Sequence, residues 1–321
     1  MDRQLSLEFA RITEQAALKS ARLVGLGDKE GADQAAVDGM HEQFALTPVS
    51  GTMVIGEGEI DEAPMLYIGE RVGQGGEEVD IAVDPVEGTN LVAKGKNGAI
   101  AVLAIAPKGC LLHAPDMYMQ KICVGPRAKG RIDIRASVTE NLKNVADAMG
   151  REVSDLTMVI LDRERHEKII REAREAGARV YLITDGDVVP SVDCGIQGSG
   201  IHMVMGSGGA PEGVLSAVGL KCLGGDMQAR LLPQTEQEIQ RLHTMGIDDP
   251  NKVLTLDDLV KGDDCIFAET AITDCAMLRG VRFFGGGART STLVLRYKTG
   301  TVRFIDTVHR FGEDKPGVRM F

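Results

Sequence analysis

The sequence predicts a layered α/β protein of two domains. Three observations lead there. The chain has 321 residues, more than one ordinary compact unit needs. Apolar, β-branched runs of strand length alternate with amphipathic helical runs. Near residue 150 the style changes to a strand–helix–strand pattern, the mark of a parallel βαβ unit. The expected division is therefore residues 1–150, built on a mixed sheet, and residues 151–321, doubly wound.

Leu5, Phe9, Ile12, Ala16, Leu23 and Val24 recur at near-helical spacing, so residues 2–24 read as an amphipathic helix ended by Gly25 and Gly27. A second helix is expected from about Ala32 to Phe44, followed by a short strand at 51–56. The runs 79–83 and 99–106 are apolar and bounded by turn residues, as buried strands are. A helix at 139–149 precedes strand 157–161, helix 166–176 and strand 179–184. The glycine-rich stretch Gly206-Ser-Gly-Gly-Ala-Pro-Glu-Gly213 reads as a loop opening a helix at 214–223, with Pro211 where a first turn accepts proline. Two further strands, 291–297 and 301–308, flank a turn at Lys298-Thr-Gly300.

A net charge of −11 argues against a surface built to neutralise nucleic acid or anionic lipid, so neither is an expected partner. The surplus carboxylate suits cation binding, or simply solubility. Six scattered cysteines without a C-x-x-C pair read as buried reduced thiols, which favours the cytoplasm. The N-terminus alternates charged and apolar residues and is no signal peptide, and no stretch approaches the ~20 apolar residues of a membrane span.

The sharpest motif is Asp84-Pro-Val-Glu-Gly-Thr89, placed after the expected strand that ends at Val83. Two carboxylates and a hydroxyl emerge within six residues, and the glycine allows close approach of backbone to ligand. Hard divalent cations take oxygen ligands, so Asp84 and Glu87 suit a metal and Thr89 suits orienting a water; the same residues also make an ordinary surface turn. Gly56-Glu-Gly-Glu-Ile-Asp-Glu62 gathers four more carboxylates after a strand, where they either share a cation or splay into water.

Lys29 and Asp33 are four apart, an ion pair on one helical face or part of a site. Asp185-Gly-Asp187 ends a strand and can bind metal, accept from sugar hydroxyls or cap the next helix. The Gly206–Gly213 loop can offer backbone N–H groups to a phosphate, beside which Glu212 needs a cation to avoid repulsion. Arg163, Arg165 and His166 supply positive charge, as phosphate forks or as a helix-start cluster.

Several long blocks carry a resemblance: 27–33, 54–70, 84–89, 114–119, 184–188 and 208–213. The chain resembles the class II fructose-1,6-bisphosphatases of bacteria, within the lithium-sensitive, inositol-monophosphatase-like superfamily, nearly end to end. The resemblance implies a layered αβαβα sugar-phosphatase fold, with the site between two domains and the second contributing Asp185, Asp187 and Glu212. It implies one ion, Mn2+ or Mg2+, on Asp33 and Glu57, and another on Asp84, Glu87 and Glu212. It implies sugar-phosphate contacts from Glu87, Gly88, Thr89, Tyr118, Arg163, Glu164, Arg165, Asp185, Gly186, Asp187 and Gly209, with Lys29 and Asp61 as further candidates. Where a proline often separates the two basic residues, this chain has Glu164. The superfamily's W-D-x-A aspartate has no counterpart, since there is no tryptophan, and Glu212 takes its place.

The implied reaction is in-line attack of water on the 1-phosphate of fructose 1,6-bisphosphate, Thr89 positioning the water and passing its proton toward Glu57. Sedoheptulose 1,7-bisphosphate is the nearest second substrate; inositol phosphate fits less well because the class II blocks are present. A non-catalytic sugar-phosphate sensor would have no need of Thr89. A dinucleotide oxidoreductase lacks its G-x-G-x-x-G after a strand. A homo-oligomer, dimer or tetramer, is the expected assembly.

Overall fold

The computed structural model describes all residues except 3, 59–62, 245–246, 250 and 313–321. Chain order begins with α1 (Leu5–Ser20), a 3-10 turn at Ala21–Leu23, and α2 (Lys29–Phe44). Strands β1 (Val49–Ile55), β2 (Arg71–Val72) and β3 (Glu77–Glu87) follow, then the short α3 (Thr89–Ala93) and β4 (Ile100–Pro107). The middle of the chain holds β5 (Tyr118–Val124), α4 (Val138–Met149), β6 (Thr157–Leu161), α5 (Glu167–Glu175), β7 (Arg179–Ile183) and α6 (Val188–Asp193). It continues with β8 (Met203–Gly209), α7 (Ala210–Leu223), β9 (Asp226–Leu231), α8 (Glu236–Thr244), β10 (Leu254–Thr255) and α9 (Leu256–Leu259). Strands β11 (Ile266–Ala271), β12 (Arg282–Phe284), β13 (Gly287–Arg296) and β14 (Thr301–Arg310) close the described chain.

These elements divide into one unit of residues 1–109 with 263–321 and another of residues 110–262. The boundary expected near residue 150 therefore falls inside the second unit, and the first unit is discontinuous. The reason lies in strand pairing that local sequence does not carry. Strand β5 hydrogen-bonds to β8 and β9, which draws residues 110–150 into the second sheet. Strand β11 returns to pair with β4, so the C-terminal strands complete the first sheet.

In the first unit the sheet runs β12-β13-β11-β4-β3-β1-β2, with β14 along β13. Among the described residues only β1 and β3 pair in parallel there. Alternate residues of β3 and β4, among them Ile81, Val83, Ala101, Leu103 and Ile105, share a core with Phe9, Ile12, Ala16 and Met40 of α1 and α2. Burying one such aliphatic or aromatic side chain contributes roughly 1.5–3 kcal/mol. Helix α2 starts three residues earlier than the apolar pattern suggests, because Asp28 caps it by accepting from Gly31 N at 2.8 Å. That extension sets Lys29 and Asp33 one turn apart on a single helix.

The second sheet runs β10-β9-β5-β8-β6-β7. Its parallel part is β8, β6 and β7, and its other pairings are antiparallel, so both sheets are mixed where a doubly wound second half was expected. The strand–helix–strand reading at 157–183 holds, with β6 covering the same residues, 157–161. Helix α4 is capped by Ser137 at its start and stopped by Gly150 in the left-handed region, φ +64.

Candidate active site

In the first unit the candidate residues hang on α2, the end of β1 and the β3–α3 junction. Strand β3 does not stop at Val83 as the proline suggested; it runs to Glu87. Asp84 lies opposite Val102 and Glu87 opposite Ile100, so three steps on β3 match two on β4 and Pro85-Val86 form a bulge. A bulge is where a strand tolerates proline. Asp84 accepts from Val86 N at 3.0 Å across this kink. Gly88 follows at φ +92, buried, with room for a Cβ limited by Leu91 Cδ1 at 3.0 Å, and Thr89 opens α3. Glycine is required here on both counts.

Asp33, Glu57 and Asp84 converge in this unit. Burial raises the Asp33 carboxyl, against a hydrogen bond to Glu57 and the charge of Lys29, both of which lower it. Burial also pushes Glu57 up to about 8, helped by the charges of Asp33 and Asp84 and the hydrogen bond with Asp33. Without a cation, the Asp33–Glu57 pair therefore retains a proton near neutrality. A divalent ion reverses that logic, because its charge favours the ionised form. The chemistry of this all-oxygen donor set fits Mn2+ or Mg2+. Asp61 lies outside the described residues.

The second unit gathers the remaining candidates on β5, the β6–α5 turn, the β7–α6 turn and the β8–α7 junction. The glycine-rich stretch expected as a loop is the end of β8 running straight into α7. Tyr118 lies opposite Gly209 and Met119 opposite Gly208. A Cβ on Gly208 would sit 2.6 Å from Asp187 Oδ2, one on Gly209 1.9 Å from Glu212 Oε2, and one on Gly213 2.3 Å from Met119 Sδ. The glycines thus make room for two carboxylates. Ser207 N donates to His166 Nε2 and Ala210 N to Met117 O, so these two N–H groups are already engaged and are not part of a phosphate cradle.

Asp187 stands at the N-cap of α6, yet its carboxylate does not cap the helix. It receives Lys121 Nζ at 2.7 Å in a pair whose side chains are 9% and 1% exposed. Gly186 adopts φ +78 between Asp185 and Asp187. Glu212, in the first turn of α7, is raised by burial and by Asp187, while Lys121 works the other way; its Oε2 has no hydrogen-bond partner. Arg165 donates to Ser207 Oγ and O at 2.9 and 2.8 Å and lies 4.9 Å from the Tyr118 ring centroid, a cation–π stack. Arg163 donates to the carbonyls of Asp162 and Thr184, tying the residues just before Asp185, and Glu164 is exposed in a 3-10 turn.

The sequence as a whole matches the family described as bacterial fructose-1,6-bisphosphatase, glpX-encoded, over residues 3–309. The chain belongs to that bacterial fructose-1,6-bisphosphatase family. Among its curated relatives are proteins named D-fructose 1,6-bisphosphatase class 2/sedoheptulose 1,7-bisphosphatase. One from Synechococcus sp. strain JA-2-3B'a(2-13) is 50% identical, covering 100% of both chains. One from Crocosphaera subtropica is 48% identical over 96% of this chain and 97% of its own. One from Trichodesmium erythraeum is 47% identical over 98% and 99%. The chain is an enzyme of the phosphoric monoester hydrolase type.

Two residues of this bisphosphatase site, Lys121 and Ser207, escape sequence reasoning. Lys121 sits inside an apolar strand run, where a lysine reads as a lapse in the pattern; that lapse was the available signal, since a fully buried lysine needs a partner. Burial alone would depress Lys121, but Asp187 and Glu212 outweigh it and hold its pKa above the ordinary value. Ser207 joins Arg165 and His166, and only the sheet brings the three together. His166 pairs Nδ1 with Leu161 O at 2.8 Å and Nε2 with Ser207; these partners select the neutral ring with its proton on Nδ1, and burial lowers its pKa accordingly. It is a structural clasp for the β6–α5 turn of the bisphosphatase.

Proposed function

We propose that the chain hydrolyses the 1-phosphate of fructose 1,6-bisphosphate to fructose 6-phosphate and phosphate, with Mn2+ or Mg2+ as cofactor. The observation that carries this reading is the crowding of Asp33, Glu57 and Asp84 around one spot, which near neutral pH ionises fully only beside a cation. Asp33 and Glu57 would hold one ion, and Asp84, Glu87 and Glu212 the other. Such ions supply a water of lowered pKa and neutralise charge on the phosphoryl oxygens. Thr89 aims the attacking water with its hydroxyl and hands the proton toward Glu57. The helix-opening position of Thr89, set by Gly88, supports that role.

Glu87, Gly88, Tyr118, Arg163, Glu164, Arg165, Asp185, Gly186, Asp187 and Gly209 would contact the substrate, with Lys29 and Asp61 as additional contacts. Arg165, braced by Ser207 and Tyr118, is the best-prepared phosphate ligand, because its fork is held before binding. The engaged guanidinium of Arg163 supports a part in shaping the Asp185 turn. Relatives named for both bisphosphatase activities favour a second reading in which sedoheptulose 1,7-bisphosphate is also a substrate. The same reading places the chain in the lithium-sensitive superfamily, as a cytoplasmic homo-oligomer, dimer or tetramer. Six free cysteines support the cytoplasm, and among the described residues no helix is long and apolar enough to cross a membrane.

The test is phosphate release by chelator-stripped protein from fructose 1,6-bisphosphate, sedoheptulose 1,7-bisphosphate and inositol 1-phosphate, each with and without Mn2+ or Mg2+. Activity on the bisphosphates, restored by metal, is the expected result. Activity on inositol phosphate alone would overturn the proposal, and silence on all three despite tight metal binding would identify a sensor.

Metal binding should also be linked to protons. A carboxyl raised from 4.5 to about 8 means that the ion-free folded chain holds a proton that the unfolded chain has lost. Its stability therefore falls as pH rises from 4.5 through about 8, the reverse of the usual carboxylate case. Metal binding at pH 7 expels that proton, so affinity should rise about tenfold per pH unit and level off above the Glu57 pKa. Calorimetric titration of Mn2+ in buffers of different ionisation heat reads the released proton directly. Binding that releases none would remove Glu57 from the ligand set.

A further inference from the structure

We propose that Glu70 is a positioning residue for the ion site: its carboxylate holds Leu66 in a left-handed backbone conformation, and the Leu66 carbonyl in turn fixes the main chain of Glu57. The proposal rests on the reading of Asp33 and Glu57 as ligands of one ion.

Leu66 has φ +56, and among the described residues it is the only one besides glycine with a positive φ. In that region the Cβ of an L residue crowds the following carbonyl, so a bulky side chain stays there only where its surroundings over-determine it. Three handles do so here. The Leu66 side chain is fully buried in the core of the first unit. Its N–H donates to Glu70 Oε2. Its carbonyl accepts from Glu57 N at 3.0 Å. Gly56 completes the arrangement, since a Cβ there would sit 1.9 Å from Leu66 O and displace the carbonyl that holds Glu57.

The segment around this contact is pinned at further points. Ile68 N donates to Gly58 O at 2.9 Å, Gly69 N to Met53 O at 2.8 Å and Met53 N to Glu70 O at 3.0 Å. Residues 66–70 thus run back along residues 53–58, continuing the antiparallel course of β1 and β2 beyond the paired Thr52 and Arg71. The second oxygen of Glu70, Oε1, meets His41 Nε2 at 3.1 Å. His41 lies on α2, about two helical turns after Asp33. One carboxylate thereby ties the Leu66 turn, and with it Glu57, to the helix that carries Asp33. Groups that hold ligands in place before the ion arrives typically govern its affinity by ~10–100-fold.

Two substitutions separate reach from charge. Glu70→Asp keeps the charge but is one methylene too short for Leu66 N, whereas Glu70→Gln keeps an acceptor oxygen at the same reach and loses the charge. On chelator-stripped protein, Mn2+ affinity read by calorimetric titration should fall ~tenfold in Glu70→Asp and stay within ~threefold of wild type in Glu70→Gln. Gly56→Ala, which leaves Glu70 in place and displaces the Leu66 carbonyl, should match the Glu70→Asp loss. Hydrogen exchange of the ion-free proteins, followed by mass spectrometry, gives a readout that needs no metal: the peptide holding Glu57 should lose protection in Glu70→Asp and Gly56→Ala and keep it in Glu70→Gln. Wild-type affinity and protection in Glu70→Asp would overturn the proposal, and so would a larger loss in Glu70→Gln than in Glu70→Asp, which is the order that charge alone predicts. Glu57→Gln separates this failure from that of the underlying reading. If Glu57→Gln binds Mn2+ as wild type does, the ion site itself is misassigned and the proposal falls with it; if Glu57→Gln is weakened and Glu70→Asp is not, the positioning role alone is lost.

Discussion

Thr89→Ala should lower turnover by roughly 10²–10³-fold while leaving KM within about threefold of wild type. The hydroxyl stands in the first residue of α3, directly after the positive-φ Gly88. Its proposed work, aiming water and passing a proton, is done in the transition state, and loss of such an interaction appears in turnover more than in binding. The half-exposed position and short helix leave little packing to lose, so the fold should be intact. Thr89→Ser, which keeps the hydroxyl, should recover most of the rate. Steady-state kinetics on fructose 1,6-bisphosphate with saturating Mn2+ decides the matter: unchanged turnover in Thr89→Ala would remove the residue from the chemistry.

Lys121→Met should destabilise the protein by ~3–5 kcal/mol, because removing one partner leaves the other charge buried and unpaired. Lys121 is 1% exposed and holds Asp187 at 2.7 Å, with Glu212 close enough to feel its charge. The double variant Lys121→Met/Asp187→Asn should recover much of that loss, since an uncharged amide needs no counter-charge. Denaturant unfolding monitored by circular dichroism measures both. If Lys121→Met unfolds at the wild-type midpoint, the pair is not what holds the β8–α7 junction. Lys121→Arg should not rescue fully, as the site is fully buried and built around a compact ammonium on Asp187, not a planar fork.

Much of the architecture is written in local pattern. Apolar strands such as β4 and β6, and the helices α1, α2 and α4, follow from periodicity and caps, since an amphipathic segment of the right period has one way to bury its face. Of the candidate carboxylates, Asp84 and Glu87 were singled out by their place after a strand, whereas Asp33 and Glu57 entered as metal ligands only through the family resemblance. Local pattern misled where backbone geometry departs from the usual reading of proline and glycine. Pro85 does not end β3, because a bulge accommodates it. The glycines of 206–209 do not make a loop, because they thin a strand beside Asp187 and Glu212.

The sequence by itself determined the α/β class, the family and the carboxylates proposed as metal ligands. Only the tertiary structure decided that the first unit closes with strands from the end of the chain, that Lys121 neutralises Asp187, that Ser207 braces Arg165, and that Asp33 and Glu57 meet side chain to side chain. Each of these joins residues distant along the chain, and the burial that sets its energy does not exist until the sheets have formed.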